Sequence, residues 1–139
     1  MRTAIMGVGS LGTIIGALIA KGGVAIDMID ANQATVDALN AHGATVTGSL
    51  ELNVPVKALT PDQMTGIYDL VILTTKQTFS DKALKQLMPH LGKYSVVCTL
   101  QNGIPEETVA KYVGEDRVIG GAVGFDATWI KPRVSMRNA

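Results

Sequence analysis

Features typical of several classes of protein are scarce in this chain of 139 residues. Its single cysteine excludes an internal disulfide and a zinc site built from cysteines. The 12 basic and 12 acidic residues give a net charge of zero without a basic cluster, so nucleic acid and anionic membranes are not expected as partners. No apolar run approaches the roughly 20 residues of a membrane span, and no signal-peptide cleavage pattern follows the first residues. We expect a cytoplasmic protein without a metal.

Hydrophobic residues, in contrast, make up 47% of the chain, enough for the packed core of one domain spanning residues 1–139. Cys98 lies within an apolar run and is interpreted as a core thiol rather than a nucleophile. His42 and His90 follow predicted helices. We interpret both as partners of a helix C terminus rather than as catalytic bases.

The most informative segment is a glycine-rich turn that follows the apolar run Thr3–Met6. Its pattern, G-x-G-x-x-G between a predicted strand and a predicted helix, is typical of dinucleotide-binding turns, in which N–H groups at the positive end of a helix hold a pyrophosphate. Gly7 would permit the tight turn, Gly9 would let the pyrophosphate approach the backbone, and Gly12 would let the helix lie close to the sheet. The predicted cofactor-binding residues of the turn are Gly7, Val8, Gly9, Ser10, Leu11 and Gly12.

The helix after this turn is predicted from a 3.6-residue apolar period, which leaves Thr13 on another face. Its apolar positions are Leu11, Ile14, Ile15, Leu18 and Ile19.

The next apolar run, Val24–Ile29, predicts a buried parallel strand with Asp30 at its carboxyl end. There the carboxylate could hold the ribose hydroxyls of an adenosine; the alternative is that Asp30 is the N-cap of the following helix. A 2′-phosphate would be repelled by Asp30, and the next three residues, Ala31, Asn32 and Gln33, provide no cation. The sequence therefore favours NAD(H) over NADP(H) as cofactor.

The rest of the chain alternates apolar runs with amphipathic segments, without repeats or low-complexity linkers. This alternation predicts an α/β fold with a doubly wound, mostly parallel sheet of the Rossmann type and helices on both faces. The predicted elements are a helix Gln33–His42, a hairpin of Ala44–Thr47 and Leu52–Val56 with Pro55 at an edge, a helical turn Pro61–Met64, a strand Asp69–Thr74, a helix from Phe79 to Met88 ended by Pro89 and Gly92, a strand Ser95–Leu100, a helix from Pro105 to Gly114, and a strand Arg117–Val123.

Two polar side chains, Lys76 and Asn102, come just after predicted central strands, at the same edge of the sheet as the glycine turn. A lysine there can neutralise a phosphate or carboxylate, and an asparagine amide can both donate and accept hydrogen bonds. The alternatives are a solvated loop charge for Lys76 and a simple turn for Asn102-Gly103.

The glycine turn, Thr75-Lys76 and Gln101-Asn102-Gly103, in this order and spacing, resemble the ketopantoate reductases (2-dehydropantoate 2-reductases) up to about Val123. The resemblance implies an oxidoreductase of pantothenate biosynthesis that reduces a small 2-keto acid to a 2-hydroxy acid with a nicotinamide cofactor. It also implies that Lys76 and Asn102 are catalytic and that both, with Thr75, contact the cofactor.

In that family a second, helical domain carries the usual catalytic lysine and acidic residue, and this chain stops at Ala139 before such a domain. We therefore expect an isolated or truncated dinucleotide-binding domain. Pro132-Arg133 replaces the family's proline-glycine, and the tail after it does not continue the pattern. Phe125, Trp129 and Ile130 are then expected to lack cover and to form an apolar patch that favours a homo-oligomer or a separate partner chain.

Two other functions remain open at this point. One is a non-catalytic NAD-sensing regulatory domain, similar to those attached to potassium transporters, which would need the glycine turn but neither Lys76 nor Asn102. The other is an NAD-dependent dehydrogenase for a different branched 2-hydroxy acid, because the fold does not decide the substrate.

Overall fold

The computed structural model describes residues 1–48, 51–74, 80–99, 118–120, 127–131 and 134–137, with side chains for residues 1–9, 11–48, 51–74 and 82–99. Within these ranges no helix has the length and apolar character needed to cross a bilayer. The helices are α1 (Ser10–Lys21), α2 (Gln33–His42) and α3 (Ser80–Leu87), with short 3-10 helices at Pro61–Gln63 and Met88–His90. The strands are β1 (Thr3–Met6), β2 (Ile26–Ile29), β3 (Ala44–Gly48), β4 (Leu52–Val54), β5 (Lys57–Leu59), β6 (Tyr68–Leu73), β7 (Leu91–Thr99), β8 (Val118–Gly120), β9 (Ala127–Lys131) and β10 (Val134–Arg137).

The main sheet has six strands in the order β5-β2-β1-β6-β7-β8, and every pairing in it is parallel. Counted along the chain within this sheet, the order is 3-2-1-4-5-6, the arrangement of dinucleotide-binding open sheets. The predicted fold class is confirmed.

Hydrophobic side chains cover both faces of the main sheet. On one face α3 contributes Ala83, Leu84 and Leu87 to a cluster with Ala4 and Met6 of β1. On the other face Ile5 of β1 belongs to a second cluster with residues of α1, α2 and β3. This alternation of neighbouring β1 residues follows from the two-residue period of a strand that is buried on both faces.

A smaller sheet, in the order β4-β3-β10-β9, was only partly predicted. The β3–β4 hairpin is confirmed as antiparallel, and β4 is an edge strand. The expectation that the tail does not continue the family's pattern of a further strand was wrong, since β10 follows Pro132-Arg133 and pairs in parallel with β3 and antiparallel with β9. Trp129 and Ile130 belong to β9, which lies beside α1; Phe125 lies outside the described residues.

Helix α1 lies between the two sheets, with β1 and β2 on one side and β3, β9 and β10 on the other. Thr13, predicted on another face than the apolar stripe, is fully buried, whereas Leu18 of that stripe is exposed. A single apolar stripe predicts one contact surface, but this helix has two.

Several boundaries differ from the predicted ones. Strand β7 begins at Leu91 rather than at Ser95, so Gly92 lies inside a strand and does not end a helix. Strand β2 begins at Ile26, and Val24 before it is exposed. Strand β5 was not predicted as part of the main sheet, because three residues are too few for a periodic signal.

Helix α2 has its predicted bounds, with Val36 and Leu39 buried. It ends at Gly43, whose φ of 79° lies in the left-handed region. The predicted helical turn after Thr60 is present as the 3-10 helix, with Gln63 Oε1 accepting a hydrogen bond from Thr60 N. The predicted helix from Pro105 to Gly114 lies outside the described residues.

Candidate functional site at the carboxyl edge of the main sheet

The candidate site lies where the order of the main sheet reverses, since β2 follows β1 on one side and β6 lies on its other side. Open α/β sheets bind ligands at the carboxyl ends of strands at such a point. A cavity of about 340 Å³ opens there, which we call the carboxyl-edge cavity. It is lined by the ends of β1, β2 and β6, by Pro61, and by α3.

The glycine turn forms one wall of this cavity. Gly7 has a φ of 97°, a conformation that favours glycine, and its N–H donates to Ile29 O at 2.8 Å. At Gly12 an added Cβ would lie 2.1 Å from Gly7 O and 2.9 Å from Thr74 Oγ1. The close approach predicted for Gly12 is thus made to the turn itself and to the end of β6.

Gly9 differs from both, because a Cβ built there would meet nothing within 4 Å. Gly9 lines the carboxyl-edge cavity. Nothing in the described part of the fold requires a glycine at this position, so the space beside it is left for something that approaches from outside.

Helix α1 starts at this turn with Gly9 as N-cap, a residue without a side chain to cap the first N–H groups. No acidic residue lies in the first turn of the helix. Gly9 O is already occupied, because it accepts hydrogen bonds from Thr13 N at 3.1 Å and Thr13 Oγ1 at 2.7 Å. The buried Thr13 therefore fixes the turn, while the positive end of α1, including the backbone of Ser10 and Leu11, is suited to an anion.

Asp30 lies next to the glycine turn, half-buried. Its Oδ2 accepts a hydrogen bond from Val8 N and its Oδ1 accepts one from Asn32 N, each at 2.8 Å. The alternative that Asp30 is the N-cap of α2 is wrong, because Asn32 Oδ1 accepts from Ala34 N and Thr35 N and makes Asn32 the cap. Each Asp30 oxygen keeps acceptor capacity beyond its one backbone bond.

Thr74 was not identified from the sequence as a site residue. Its hydroxyl lies 2.5 Å from Gly7 O and 3.2 Å from Met6 O, and its N–H donates to Met6 O at 2.9 Å. These bonds attach the end of β6 to the turn after β1. The signal was absent from the local sequence because the partners are 67 and 68 residues apart.

Helix α3 brings two further polar side chains to the carboxyl-edge cavity, Lys82 and Gln86. Lys82 was not predicted as a site residue, because it lies far from Asp30 in the sequence. The two residues have the i, i+4 spacing of one helix face, but only the packing of α3 shows that this face borders the cavity.

Thr75, Lys76 and Asn102 lie outside the described residues. The strands before them, β6 and β7, are adjacent and parallel, with Leu73 opposite Thr99. Within the described ranges no group of three or more histidine, cysteine or acidic residues is arranged to hold a metal.

The two histidines and the cysteine lie away from the carboxyl-edge cavity. His42 is the last residue of α2 and His90 the last residue of the 3-10 helix Met88–His90, so both lie at helix ends as predicted. His90 Nδ1 lies 2.9 Å from Gly66 O, in a separate loop. Cys98 is half-buried against the hydrophobic cluster on the α1 face, and burial raises the pKa of its thiol, which disfavours the nucleophilic thiolate.

The strand order, the glycine turn and the acidic residue after β2 together define a Rossmann-type dinucleotide-binding fold. The sequence also matches the family described as "Ketopantoate reductase PanE/ApbA" over residues 3–138. This chain belongs to that family.

Two relatives agree with this family assignment, and a solved structure agrees with the fold. The chain is 33% identical over 125 residues to 2-dehydropantoate 2-reductase of Lactococcus lactis, covering 87% of this chain and 40% of the relative. It is 35% identical over 124 residues to the enzyme of the same name from Pyrococcus abyssi, covering 87% and 39%. A ternary structure of D-mandelate dehydrogenase with NADH and anilino(oxo)acetate has the same fold, with a TM-score of 0.91 at 24% identity, over 100% of this chain and 46% of that one. The chain thus spans about 40% of the length of the curated relatives.

Proposed function

We propose that residues 1–139 form the nicotinamide-dinucleotide-binding domain of an oxidoreductase that reduces a 2-keto acid, ketopantoate, to a 2-hydroxy acid. We further propose that it binds NAD(H) in preference to NADP(H). The observation that carries the proposal is the Asp30 carboxylate, held by Val8 N and Asn32 N at the rim of a cavity that also borders the glycine turn.

The described residues fit such a cofactor. The uncapped start of α1 offers backbone N–H groups and a positive dipole to a pyrophosphate. The open space at Gly9 would admit the phosphates close to the backbone. The carboxyl-edge cavity, with Pro61, Ala83 and Gln86 in its walls, would receive the adenosine end.

The preference for NAD(H) follows from two charges of unequal effect. Asp30 is half-buried and fixed by two backbone hydrogen bonds, so it would accept from ribose hydroxyls and repel a 2′-phosphate. Lys82 also lines the cavity, but it is exposed, and its attraction for a phosphate is weakened by solvent and salt. We therefore expect the carboxylate to decide the preference.

For the reaction we propose that Lys76 neutralises the carboxylate of the keto acid and that Asn102 orients its carbonyl. A bound nicotinamide would supply the hydride. Lys76 and Asn102 would follow adjacent strands at the edge where the glycine turn lies. Proton donation to the new alkoxide would come from a second domain, as in full-length relatives, because His42 and His90 have structural positions.

Calorimetric titration with NADH and with NADPH, each with and without ketopantoate, tests the proposal. NADH should bind more tightly, and ketopantoate should tighten it further. The Asp30→Ala, Ala31→Arg double variant should lose at least about tenfold in NADH affinity and gain affinity for NADPH, because charged hydrogen bonds are lost and a phosphate partner is added. Asp37→Ala, which removes an exposed carboxylate elsewhere on α2, is the matched control and should change neither.

Each contrary result contradicts a separate part of the proposal. Binding of neither cofactor would refute the dinucleotide-binding domain, and equal binding of both would refute the role of Asp30. Tightening by other 2-keto acids but not by ketopantoate would indicate a dehydrogenase for another 2-hydroxy acid. Indifference to every keto acid would indicate an NAD-sensing domain.

A further inference from the structure

We propose that Thr74 is a positioning residue for cofactor discrimination, and that it acts on Asp30 through the peptide unit between Gly7 and Val8. This inference rests on the proposed function, because it concerns how the proposed ribose-binding carboxylate is oriented. Thr74 would contact no cofactor atom for this purpose.

The peptide unit between Gly7 and Val8 is hydrogen-bonded at both ends. Its carbonyl, Gly7 O, accepts a hydrogen bond from Thr74 Oγ1 at 2.5 Å. Its N–H, that of Val8, donates to Asp30 Oδ2 at 2.8 Å. A peptide unit is planar, so a group that fixes its carbonyl also fixes the direction of its N–H. Thr74, this peptide and Asp30 form one chain of hydrogen bonds, in which each bond polarises the next.

The glycines at positions 7 and 12 leave room for this series of hydrogen bonds. Gly7 has a φ of 97°, which turns the peptide into an orientation that other residues rarely adopt. A Cβ at Gly12 would lie 2.1 Å from Gly7 O and 2.9 Å from Thr74 Oγ1. Glycine at position 12 therefore makes room for both partners of the first bond.

The second oxygen of Asp30 is fixed separately by Asn32 N at 2.8 Å. Without the Thr74 hydroxyl, that contact would remain, but the carbonyl of the Gly7–Val8 peptide would lose the side-chain hydrogen bond that fixes it, and the bonds of Gly7 N and Gly9 O would hold only the neighbouring parts of the turn. The carboxylate would then rotate more freely about the Asn32 contact, and its hydrogen bonds to ribose hydroxyls would weaken. Its repulsion of a 2′-phosphate depends less on orientation, because a charge acts over a longer range than a hydrogen bond.

The variants Thr74→Val, which keeps the shape and removes the hydroxyl, and Thr74→Ser, which keeps the hydroxyl, test the inference by titration of the 139-residue chain. Thr74→Val should lower NADH affinity by about fivefold, the effect of one hydrogen bond, and should lower NADPH affinity much less. Thr74→Ser should retain the wild-type ratio of the two affinities. In an Asp30→Ala background, Thr74→Val should have no further effect on that ratio.

If Thr74 only stabilised the fold, the two affinities would respond differently. The inference would be overturned if Thr74→Val lowered NADH and NADPH affinity equally, or left both unchanged, since the ratio of the two affinities would then stay the same. It would also be overturned if Thr74→Val changed that ratio as much in the Asp30→Ala background as in the wild type. Hydrogen exchange of the Val8 amide, measured without cofactor, is a second readout. Its protection should fall by about fivefold in Thr74→Val, since one supporting hydrogen bond is lost, and should persist in Thr74→Ser. Unchanged protection would also overturn the inference.

The two proposals fail in distinguishable ways. A wild-type chain that binds neither cofactor refutes the proposed function, and the proposed discrimination with it. A wild-type chain that prefers NADH, combined with a Thr74→Val variant of unchanged ratio, refutes the role of Thr74 and leaves the proposed function intact.

Discussion

Two aspartates near opposite ends of β2, Asp27 within the strand and Asp30 just after it, differ in what holds them. Asp27 accepts a hydrogen bond from the hydroxyl of the buried Tyr68 at 2.6 Å and lies 3.6 Å from Arg2 Nη2 and 3.8 Å from Lys57 Nζ. Asp30 is held by backbone N–H groups and borders a cavity. Side chains of the chain itself surround the first carboxylate, whereas the second keeps capacity for a ligand.

The residues around the amino and carboxyl ends of β2 also differ in their contacts. At the amino end, Arg2 lies 4.3 Å from the centre of the Tyr68 ring and donates to Thr65 O at 2.6 Å. Ser95 Oγ donates to Tyr68 O at 2.5 Å and accepts from Gly92 N. At the carboxyl end, Gly7 and Gly9 are among the residues that line the cavity. Asp27 also borders a cavity, of about 460 Å³. The polar side chains at the amino end are nevertheless engaged with one another, whereas those at the carboxyl end keep capacity for a ligand, which predicts different responses to substitution.

The largest expected effect is that of Gly12→Ala. Its Cβ would overlap Gly7 O, a backbone atom that can move only with the turn, so we expect a loss of about 3 kcal/mol in the free energy of unfolding and loss of dinucleotide binding. Gly16→Ala on the same helix is the control. Its Cβ would meet Met28 Cε at 2.6 Å, the flexible end of a side chain, so its cost should be about 1 kcal/mol. Equal thermal stability of the two variants would contradict the prediction.

Tyr68→Phe should change only the contacts at the amino end of β2, and so affect stability rather than binding. It removes the hydrogen bond to Asp27, so we expect a loss of about 2 kcal/mol in the free energy of unfolding, the range for a hydrogen bond to a charged group. NADH affinity should stay unchanged. A change in NADH affinity without a change in the free energy of unfolding would contradict this assignment of the two ends of β2.

The same variant gives a prediction for alkaline pH. Burial raises the pKa of the Tyr68 phenol above its ordinary value, and the hydrogen bond to Asp27 adds to the shift. The unfolded tyrosine loses its proton near pH ~10, so the contribution of Tyr68 is complete below that pH and is lost as the pH rises toward the higher folded pKa. The stability difference between wild type and Tyr68→Phe, measured by denaturant unfolding, should therefore shrink above about pH 10.

The smallest expected effect on stability, with a selective effect on binding, is that of Gly9→Ala. Gly9 has a negative φ of −81°, and an added Cβ meets no atom within 4 Å, so the free energy of unfolding should change by less than about 1 kcal/mol. Dinucleotide affinity should fall by about tenfold, because the Cβ would occupy the approach to the backbone. Gly22→Ala, at the other end of α1 with ordinary contacts to Ile19 O and Leu18 O, should leave affinity unchanged.

How much of this could be predicted from the sequence depends on the range of the interactions. The glycine turn, α2 and the position of Asp30 after β2 follow from spacing within some thirty residues, and the structure has them where the sequence put them. Strand β5 is too short for a periodic signal, and β9 and β10 gain their places from pairing with distant strands. The burial of Thr13 could not be predicted from the apolar period of α1, because that period assigns only apolar positions to a contact surface.

The candidate site shows the same division. Gly7, Gly9, Gly12 and Asp30 belong to one sequence motif, and their backbone conformations agree with the predicted turn. Thr74 and Lys82 reach the cavity only because β6 lies beside β1 and α3 packs over the sheet edge. Their contribution could not be predicted from neighbouring residues.

The pairing of β10 with β3 also has a consequence for synthesis of the chain. Val134 pairs with Thr45, so strands about 90 residues apart must meet, a separation that slows folding. While the chain emerges from the ribosome, β1, α1 and β2 are available long before β9 and β10. During that interval α1 lacks the cover that these two strands give it. The smaller sheet over the helix that begins at the glycine turn is thus completed only after the main-sheet strands, from β1 to β8, have been made.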